Sequence, residues 1–275
     1  VDTLQAIILG AIQGLTEFIP ISSSAHLIVV PWLFRWEPFG LTFDVALHLG
    51  TVFALLAYFW RDWYELLRDY ARTTRLGRMM GLKPASTSTM LVWPIVIASI
   101  PAAVAGKFLE HTIENQIRSN FLLVGIVTIS LGVLLFLADR FGAKRRPAEG
   151  VTLKDWLIIG VAQALAIIPG VSRSGITITA GLACGLQRDA AARFSFLLGA
   201  PIILGAAIYE MPDALRSGLT AADLLPFGVG IAASAIVGYL CIGFLMSYLR
   251  TRSTGLFVGY RLVFGTGIIL LSLLR

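Results

Sequence analysis

Six stretches of the chain stay apolar for close to the roughly 20 residues that a helix needs to cross a bilayer. They run over residues 43–60, 90–108, 121–138, 192–209, 224–249 and 257–274. Two further apolar stretches, 1–42 and 155–191, are interrupted. In the first, Pro20 is followed by Ser22, Ser23 and Ser24, and in the second Pro169-Gly170 is followed by Ser172-Arg173-Ser174-Gly175. Proline removes a backbone donor and glycine permits positive φ, so helices stop there. Serine directly afterwards caps a returning helix. The pattern predicts an all-α polytopic membrane protein with six transmembrane helices plus two re-entrant helical hairpins, over 3–34 and 156–185. Non-helical backbone at membrane depth must be buried in protein or line a wet cavity.

The basic residues orient this arrangement. If six spans alternate strictly, Arg61, Arg68, Arg72, Arg75, Arg78, Lys83, Arg140, Lys144, Arg145, Arg146, Lys154, Arg188, Arg193, Arg250 and Arg252 share one face. The other face holds only Arg35, Lys107, Arg118, Arg216 and Arg275, so fifteen basic residues stand against five. Such a bias marks the cytoplasmic side, and the basic loops there read as solvated. Residues 1–42 must then begin and end outside, and 155–191 must begin and end inside, so each segment enters the membrane and turns back. Trp32, Trp36, Trp60, Trp63, Trp93 and Trp156 fall near the ends of apolar stretches, as in an aromatic belt.

The two interrupted segments also resemble each other. At a constant offset of 150, Gly10 matches Gly160, Gln13 matches Gln163, Leu15 matches Leu165, Ser22 matches Ser172 and Ser24 matches Ser174. Each is followed by a span containing Leu-Gly (Leu49-Gly50 and Leu198-Gly199) and then two more spans. With opposite starting sides, this reads as an inverted-topology repeat within a single membrane domain, 1–275, its halves being 1–139 and 155–275. Repeats of this kind set broken helices face to face near the midplane, with polar sites at the breaks. The free N–H groups of a returning helix suit an anion.

Composition agrees. Hydrophobic residues make up 57% of the chain and charged ones 14%, with a mean hydropathy of +0.81. A soluble domain carries roughly 25% charged residues, so a soluble enzyme is excluded. The net charge of +6 sits in loops of one face and implies no nucleic-acid partner. The first thirty-odd residues have neither a basic leading region nor a clear cleavage site, and are expected to belong to the membrane domain rather than to a signal peptide. Cys184 and Cys241 lie far apart in apolar sequence and are expected to pack as small free side chains.

Glu17, His26 and Arg173 are the charge-bearing residues inside the two re-entrant segments, 3–34 and 156–185. A charge at mid-membrane costs roughly 2.5–3.5 kcal/mol on the gentlest scale, so each marks a candidate site. Gln13 lies one helical turn before Glu17 on the same face. The hydroxyls of Ser22, Ser23, Ser24, Ser172, Ser174, Thr177 and Thr179 surround the breaks. Arginine forks onto phosphate oxygens. Glutamate with a glutamine carbonyl suits Mg²⁺ or Ca²⁺, and histidine can shuttle a proton near neutral pH. Serine serves as nucleophile or phosphate ligand. Together these groups fit metal-assisted phosphoryl transfer on a membrane-embedded substrate. Plainer roles exist for each: Glu17 as a buried partner of Arg173, His26 as a satisfied core histidine, the serines as glue between helices. Gln163 is expected to be structural, Asp44 and His48 to extend the site or line its outer mouth, and Arg261 to snorkel toward the cytoplasmic face.

At these residues the chain resembles a known family. Gln13-Gly-Leu-Thr-Glu17-Phe-Ile-Pro20-Ile-Ser-Ser-Ser-Ala-His26 is similar to the first signature of the undecaprenyl-pyrophosphate phosphatases of the bacitracin-resistance type. Pro169-Gly-Val-Ser-Arg-Ser-Gly-Ile-Thr177 is similar to the second. The resemblance covers the whole chain in order and spacing. It implies hydrolysis of undecaprenyl diphosphate to the monophosphate carrier of cell-wall synthesis, in a bacterial plasma membrane, with a site open to the outer face and a divalent cation, Mg²⁺ or Ca²⁺. It further implies Glu17 as the essential acid and metal ligand with Gln13, His26 as general acid/base, Ser23 as nucleophile or phosphate contact, and Arg173 as the diphosphate clamp. Ser22, Ser24, Ser172, Ser174 and Thr177 are the expected substrate contacts. Many relatives carry a second Glu where Gln13 stands, and Ala25 stands where Gly is common. The expected partners are the polyprenyl diphosphate and membrane lipids, and a homodimer is compatible with the sequence. Inverted repeats with re-entrant breaks also build transporters, so a transporter or flippase for an anionic lipid or small anion is the rival reading.

Overall fold

The computed structural model describes residues 2–37, 40–73, 92–216 and 221–274. Among these the secondary structure is helical, the lone exception being an isolated bridge between Arg146 and Leu186. The helices are α1 (Thr3–Phe18), α2 (Ser23–Phe34), α3 (Gly40–Tyr58), α4 (Trp60–Thr73), α5 (Val92–Thr112), α6 (Phe121–Phe141), α7 (Leu153–Ala164), α8 (Arg173–Ala183), α9 (Arg188–Arg216), α10 (Ala221–Thr251) and α11 (Gly255–Leu274).

Among the described residues four helices, α6, α9, α10 and α11, are long and apolar enough to cross a membrane, and α3 with α4 makes a fifth if the bent pair is one span. The bend between them is 72°. Its cause is legible: past Tyr58 the apolar run gives way to an amphipathic helix bearing Arg61, Asp62, Glu65 and Arg68 beside Trp60, Trp63 and Leu66. Such a helix lies along a membrane face rather than through it. The sixth expected span, 90–108, falls on α5, whose apolar part Ile95–Leu109 is shorter. Residues 90 and 91 lie outside the described residues, as do Arg75, Arg78, Lys83 and Arg275. Large apolar side chains such as Phe108, Phe141, Leu225, Val263 and Leu273 stand exposed on the outside of the bundle. Contiguous apolar surface of this kind belongs against lipid.

Small residues let the helices approach closely, the usual device where lipid removes the hydrophobic drive between helices. Helix α1 runs along α10, where a Cβ on Gly10 would lie 2.3 Å from the Gly230 carbonyl oxygen. Helix α7 runs along α5 in the same manner, and a Cβ on Gly160 would lie 2.6 Å from the Ala98 carbonyl oxygen. The first arm of each interrupted segment therefore packs on a helix from the other half of the chain. Between α6 and α11 the contact is reciprocal: Gly125 and Gly265 would each place a Cβ 2.9 Å from the other's carbonyl oxygen.

Some of the basic loop residues are tied down rather than solvated. Arg146 forks onto Asp155 at 3.0 and 2.6 Å, Arg188 bonds Asp139 at 2.6 Å, and Arg193 pairs with Asp62. Asp139 also accepts from the Thr254 backbone and hydroxyl, both at 2.9 Å, joining α6 to the start of α11. Acids interspersed in the basic sequence make these clasps, so the face rich in arginine is knitted shut. Trp156 is also not a belt residue: it is buried, with its ring 3.9 Å from that of Phe194. Both cysteines are free, and the Cys241 thiol donates to the Leu15 carbonyl at 3.2 Å.

Candidate active site

Each interrupted segment breaks in the same way. The residue before the returning helix is a serine with positive φ: Ser22 at φ 77, ψ 94 and Ser172 at φ 71, ψ 113. Each caps the helix after it, Ser22 Oγ accepting from the Ala25 N–H at 3.4 Å and Ser172 Oγ from the Gly175 N–H at 3.1 Å. Each also contacts the serine two residues on, Ser24 at 3.2 Å and Ser174 at 3.3 Å. Ser174 Oγ reaches across to the Ile19 carbonyl at 3.4 Å, so the two breaks touch.

Arg261 joins them more firmly. It is 1% exposed, and its guanidinium donates to four backbone carbonyls: Pro20 at 3.1 Å, Gly170 at 2.7 Å, Val171 at 3.3 Å and Thr128 at 2.9 Å. Pro20 lies two residues past the carbonyl end of α1, where a cation offsets the negative end of the helix dipole, and Gly170 lies in the non-helical turn before α8. The expectation that Arg261 snorkels toward the face is therefore wrong. The carbonyls left over by the two breaks hold it in the interior.

Across the joined breaks lies the charged group. Arg173, the first residue of α8, donates to Glu17 Oε1 at 2.9 Å, and its other terminal nitrogen donates to the Ser195 carbonyl at 2.9 Å. Glu17 Oε2 accepts from Ser23 Oγ at 2.6 Å and from Gln13 Nε2 at 3.1 Å. His48 Nε2 stands 3.6 Å from the same oxygen. Glu17, Gln13, Ser23 and Arg173 are thus brought together as expected, and the ion pair itself crosses from one half of the chain to the other. Two buried polar atoms of the group have no partner: Arg173 Nε, a spare donor, and Gln13 Oε1, a spare acceptor.

Three further residues shape this group: His48, which the sequence places at the edge of the site or its outer mouth, and Gly199 and Ser195, which it does not single out for the site. His48 takes the place beside Glu17 because α3 packs on α1. Gly199, noted only as a repeat landmark, makes room for Arg173, since a Cβ there would lie 2.0 Å from its guanidinium nitrogen. Ser195, one turn earlier on α9, receives Arg173 and meets Thr177 Oγ1 at 2.6 Å. The available signal for Gly199 was its match to Gly50. For His48 it was the one-turn spacing from Asp44.

His26 is held elsewhere. Its Nδ1 meets the Ser22 carbonyl at 2.7 Å, its Nε2 meets the Tyr260 hydroxyl at 2.7 Å, and its ring stacks on Phe264 at 4.1 Å. Neither nitrogen is bonded to the Glu17 group. Of the hydroxyls expected to meet substrate, Ser22 and Ser172 act as caps, Ser174 bonds the opposite break and Thr177 bonds Ser195. Ser24 lines a cavity of about 200 Å³ with Leu27, Ile28, Asp44, His48 and Arg118. Gln163 is buried with both polar atoms unpartnered, and its segment has Ile167 where the first has Glu17.

Among the described residues no group of three acid, histidine or cysteine side chains could hold a metal ion. One carboxylate and the orphan Gln13 Oε1 cannot form a complete cage. They do fit a hard cation that keeps several waters and takes further oxygens from a phosphate, as Mg²⁺ does.

Known proteins resemble the chain over nearly its full length. An undecaprenyl-diphosphatase of Geotalea daltonii is 48% identical over 264 residues, 96% of each chain. That of Moorella thermoacetica is 49% identical over 272 residues, 99% of this chain and 98% of the relative. That of Thermomicrobium roseum is 46% identical over 273 residues, 97% and 96% of the two chains. Residues 6–267 match the family described as Bacitracin resistance protein BacA, and it is to this family that the chain belongs.

Proposed function

We propose that the chain hydrolyses undecaprenyl diphosphate to undecaprenyl phosphate and inorganic phosphate, recycling the lipid carrier of cell-wall synthesis. The observation that carries this reading is the Arg173–Glu17–Ser23 group, buried where two helix breaks meet, with Arg173 Nε and Gln13 Oε1 unpartnered beside it. A transporter needs an anion site, which Arg173 would supply. It has no use for a hydroxyl hydrogen-bonded to a carboxylate.

On this reading the diphosphate takes over Arg173, whose spare Nε and terminal nitrogens suit phosphate oxygens. Glu17, released from Arg173, accepts the proton of the attacking oxygen. If Ser23 attacks, its Oγ–H already points at Glu17, the anhydride P–O bond breaks, and water later hydrolyses the phosphoserine. If water attacks, the same carboxylate takes its proton and Ser23 orients it. His48, with Nε2 3.6 Å from Glu17, suits the protonation of the leaving lipid phosphate. His26 would have to leave Ser22 and Tyr260 to take that part. Glu17 and Gln13 Oε1 are the groups that would hold a divalent cation, and the chemistry it would supply there is neutralisation of charge on the transferring phosphoryl group.

The finer architecture belongs to the same proposal: six spans, two re-entrant hairpins and an inverted repeat in a bacterial plasma membrane. The arginine-rich face would be cytoplasmic, and the site would open to the opposite side. The matched breaks at Ser22 and Ser172 and the crossed packing of α1 on α10 and α7 on α5 support it. The deciding experiment is phosphate release from undecaprenyl diphosphate by the purified protein in detergent, with and without chelator. Chelator-sensitive release is expected. A folded preparation that binds the lipid without releasing phosphate would favour the transporter.

A further inference from the structure

The two cavities beside the site share part of their lining. The inner one, about 200 Å³, includes Ser24 and His48, the neighbours of Ser23 and Glu17. The outer one, about 600 Å³, includes Trp32, Arg35, Trp36 and Glu37. Asp44, Arg118, Leu27 and Ile28 line both. Asp44 and Arg118 are ion-paired there, with side chains 13% and 25% exposed. We propose that Arg118 is a second phosphate-binding cation of the site, held against Asp44 at rest and passed to the terminal phosphate of the incoming diphosphate. This inference rests on the phosphatase reading and names a subsite within it.

Charge is the first argument. A diphosphate brings more negative charge than Arg173 alone can match, and phosphoryl transfer depends on neutralising charge on the transferring group. Arg118 is the guanidinium lining the cavity that adjoins Ser24 and His48. Placement is the second. Asp44 sits one turn before His48 on α3, and the His48 Nδ1 meets the Asp44 carbonyl at 2.7 Å. The helix that stores Arg118 is therefore the one that touches Glu17. Exchangeability is the third. The pair is mostly buried but lines both cavities, so a multiply charged phosphate that enters there can replace the Asp44 carboxylate as the partner of Arg118 without leaving the cation uncompensated. Arg118 also follows the widened turn Ile113–Ile117, with its N–H on the Ile113 carbonyl at 2.9 Å. Single wide turns of this type recur at functional sites. The terminal phosphate, once cut free, would leave past Arg118 through the outer cavity.

A purely structural pair and a phosphate-binding arginine predict different signs. If the pair only pins α3 to the turn before α6, Arg118→Gln and Asp44→Asn break the same bond and act alike. If Arg118 takes phosphate, the two act oppositely. The test measures KM for undecaprenyl diphosphate, inhibition by inorganic phosphate, and the thermal shift that inorganic phosphate gives each protein. Arg118→Gln is expected to raise KM and the inhibition constant on the order of 10-fold, a charged hydrogen bond's share, and to reduce the thermal shift at a fixed phosphate concentration. Asp44→Asn is expected to lower both constants, and Arg118→Lys to keep most of the phosphate affinity. Changes of the same sign in Arg118→Gln and Asp44→Asn would overturn the assignment, as would unaltered phosphate inhibition in Arg118→Gln. The thermal shift reads phosphate binding without turnover. Loss of the subsite therefore remains distinguishable from a wild-type protein that releases no phosphate, which would overturn the parent reading instead.

Discussion

The two helix breaks share a backbone and divide the chemistry. Ser22 and Ser172 adopt nearly the same positive φ, cap the same position of the following helix and contact a serine two residues on. What differs is the cargo. The first break carries Gln13, Glu17 and Ser23. At the matching positions the second carries Gln163, Ile167 and Arg173. An acid at position 167 as well would add a second carboxylate where Arg173 already compensates Glu17. Placing the acid and hydroxyl on one half and the cation on the other lets each buried charge compensate its opposite until a substrate separates them. The repeat thus supplies the scaffold, and its divergence supplies the site.

The division of labour between the two breaks depends most on their charges. Glu17→Gln keeps shape and burial but removes the negative charge that faces Arg173 and the carboxylate that would take the proton of the attacking oxygen. Phosphate release is expected to fall by roughly 10²–10³-fold or more, the scale seen when a key polar group is lost from an active site. Near-normal kinetics would remove Glu17 from the reaction. Gly199→Ala probes the second break alone, because the added Cβ meets the Arg173 guanidinium. A displacement of about 1 Å can cost 10²-fold, so kcat is expected to drop substantially while the melting temperature changes little. An unaltered kcat would mean that Arg173 works from another position.

Arg261→Met tests what joins the breaks. It leaves the carbonyls of Pro20, Gly170, Val171 and Thr128 without their donor, at about 1–3 kcal/mol for each buried group not rescued by water. A clearly lower melting temperature is expected, with partial recovery in Arg261→Lys. A stable Arg261→Met protein would show that the breaks hold together without the clasp.

The smallest effect concerns the start of the second interrupted segment, which is clasped where the first is not. Helix α1 begins with Asp2 capping Leu4, whereas α7 begins with a reciprocal Thr152–Asp155 cap tied to Arg146. Burial by itself would raise the Asp155 carboxyl, but hydrogen bonds from Arg146 and Thr152 outweigh it and hold it down to about 2. A depressed carboxylate contributes stability above its unfolded value of about 3.8 and loses it as pH falls toward about 2. Asp155→Asn should therefore lower the melting temperature slightly at neutral pH and leave it unchanged near pH 2. An equal loss at both pH values would show that the clasp's charge is irrelevant.

The breaks could be read from the chain because proline, glycine and serine in apolar sequence have few other uses. Glu17 and Arg173 stood out because charge inside a membrane is costly. Other features depend on packing between distant helices, which local pattern does not encode. Arg261 is misplaced by linear depth because the carbonyls that hold it come from Pro20, Thr128 and Gly170, more than 90 positions away in sequence. His48 reads as a residue of the outer mouth until α3 is laid against α1. His26 carries the motif yet meets Tyr260 and Phe264, partners that only the position of α11 brings near.

The most direct test of one site built from two breaks is a double-mutant cycle on Glu17→Gln and Arg173→Ala, followed by single-turnover hydrolysis of undecaprenyl diphosphate. Groups that act as a unit are strongly non-additive. The double variant is expected to lose little more activity than either single one. Losses that multiply would mean that Glu17 and Arg173 act independently, and would contradict a single site.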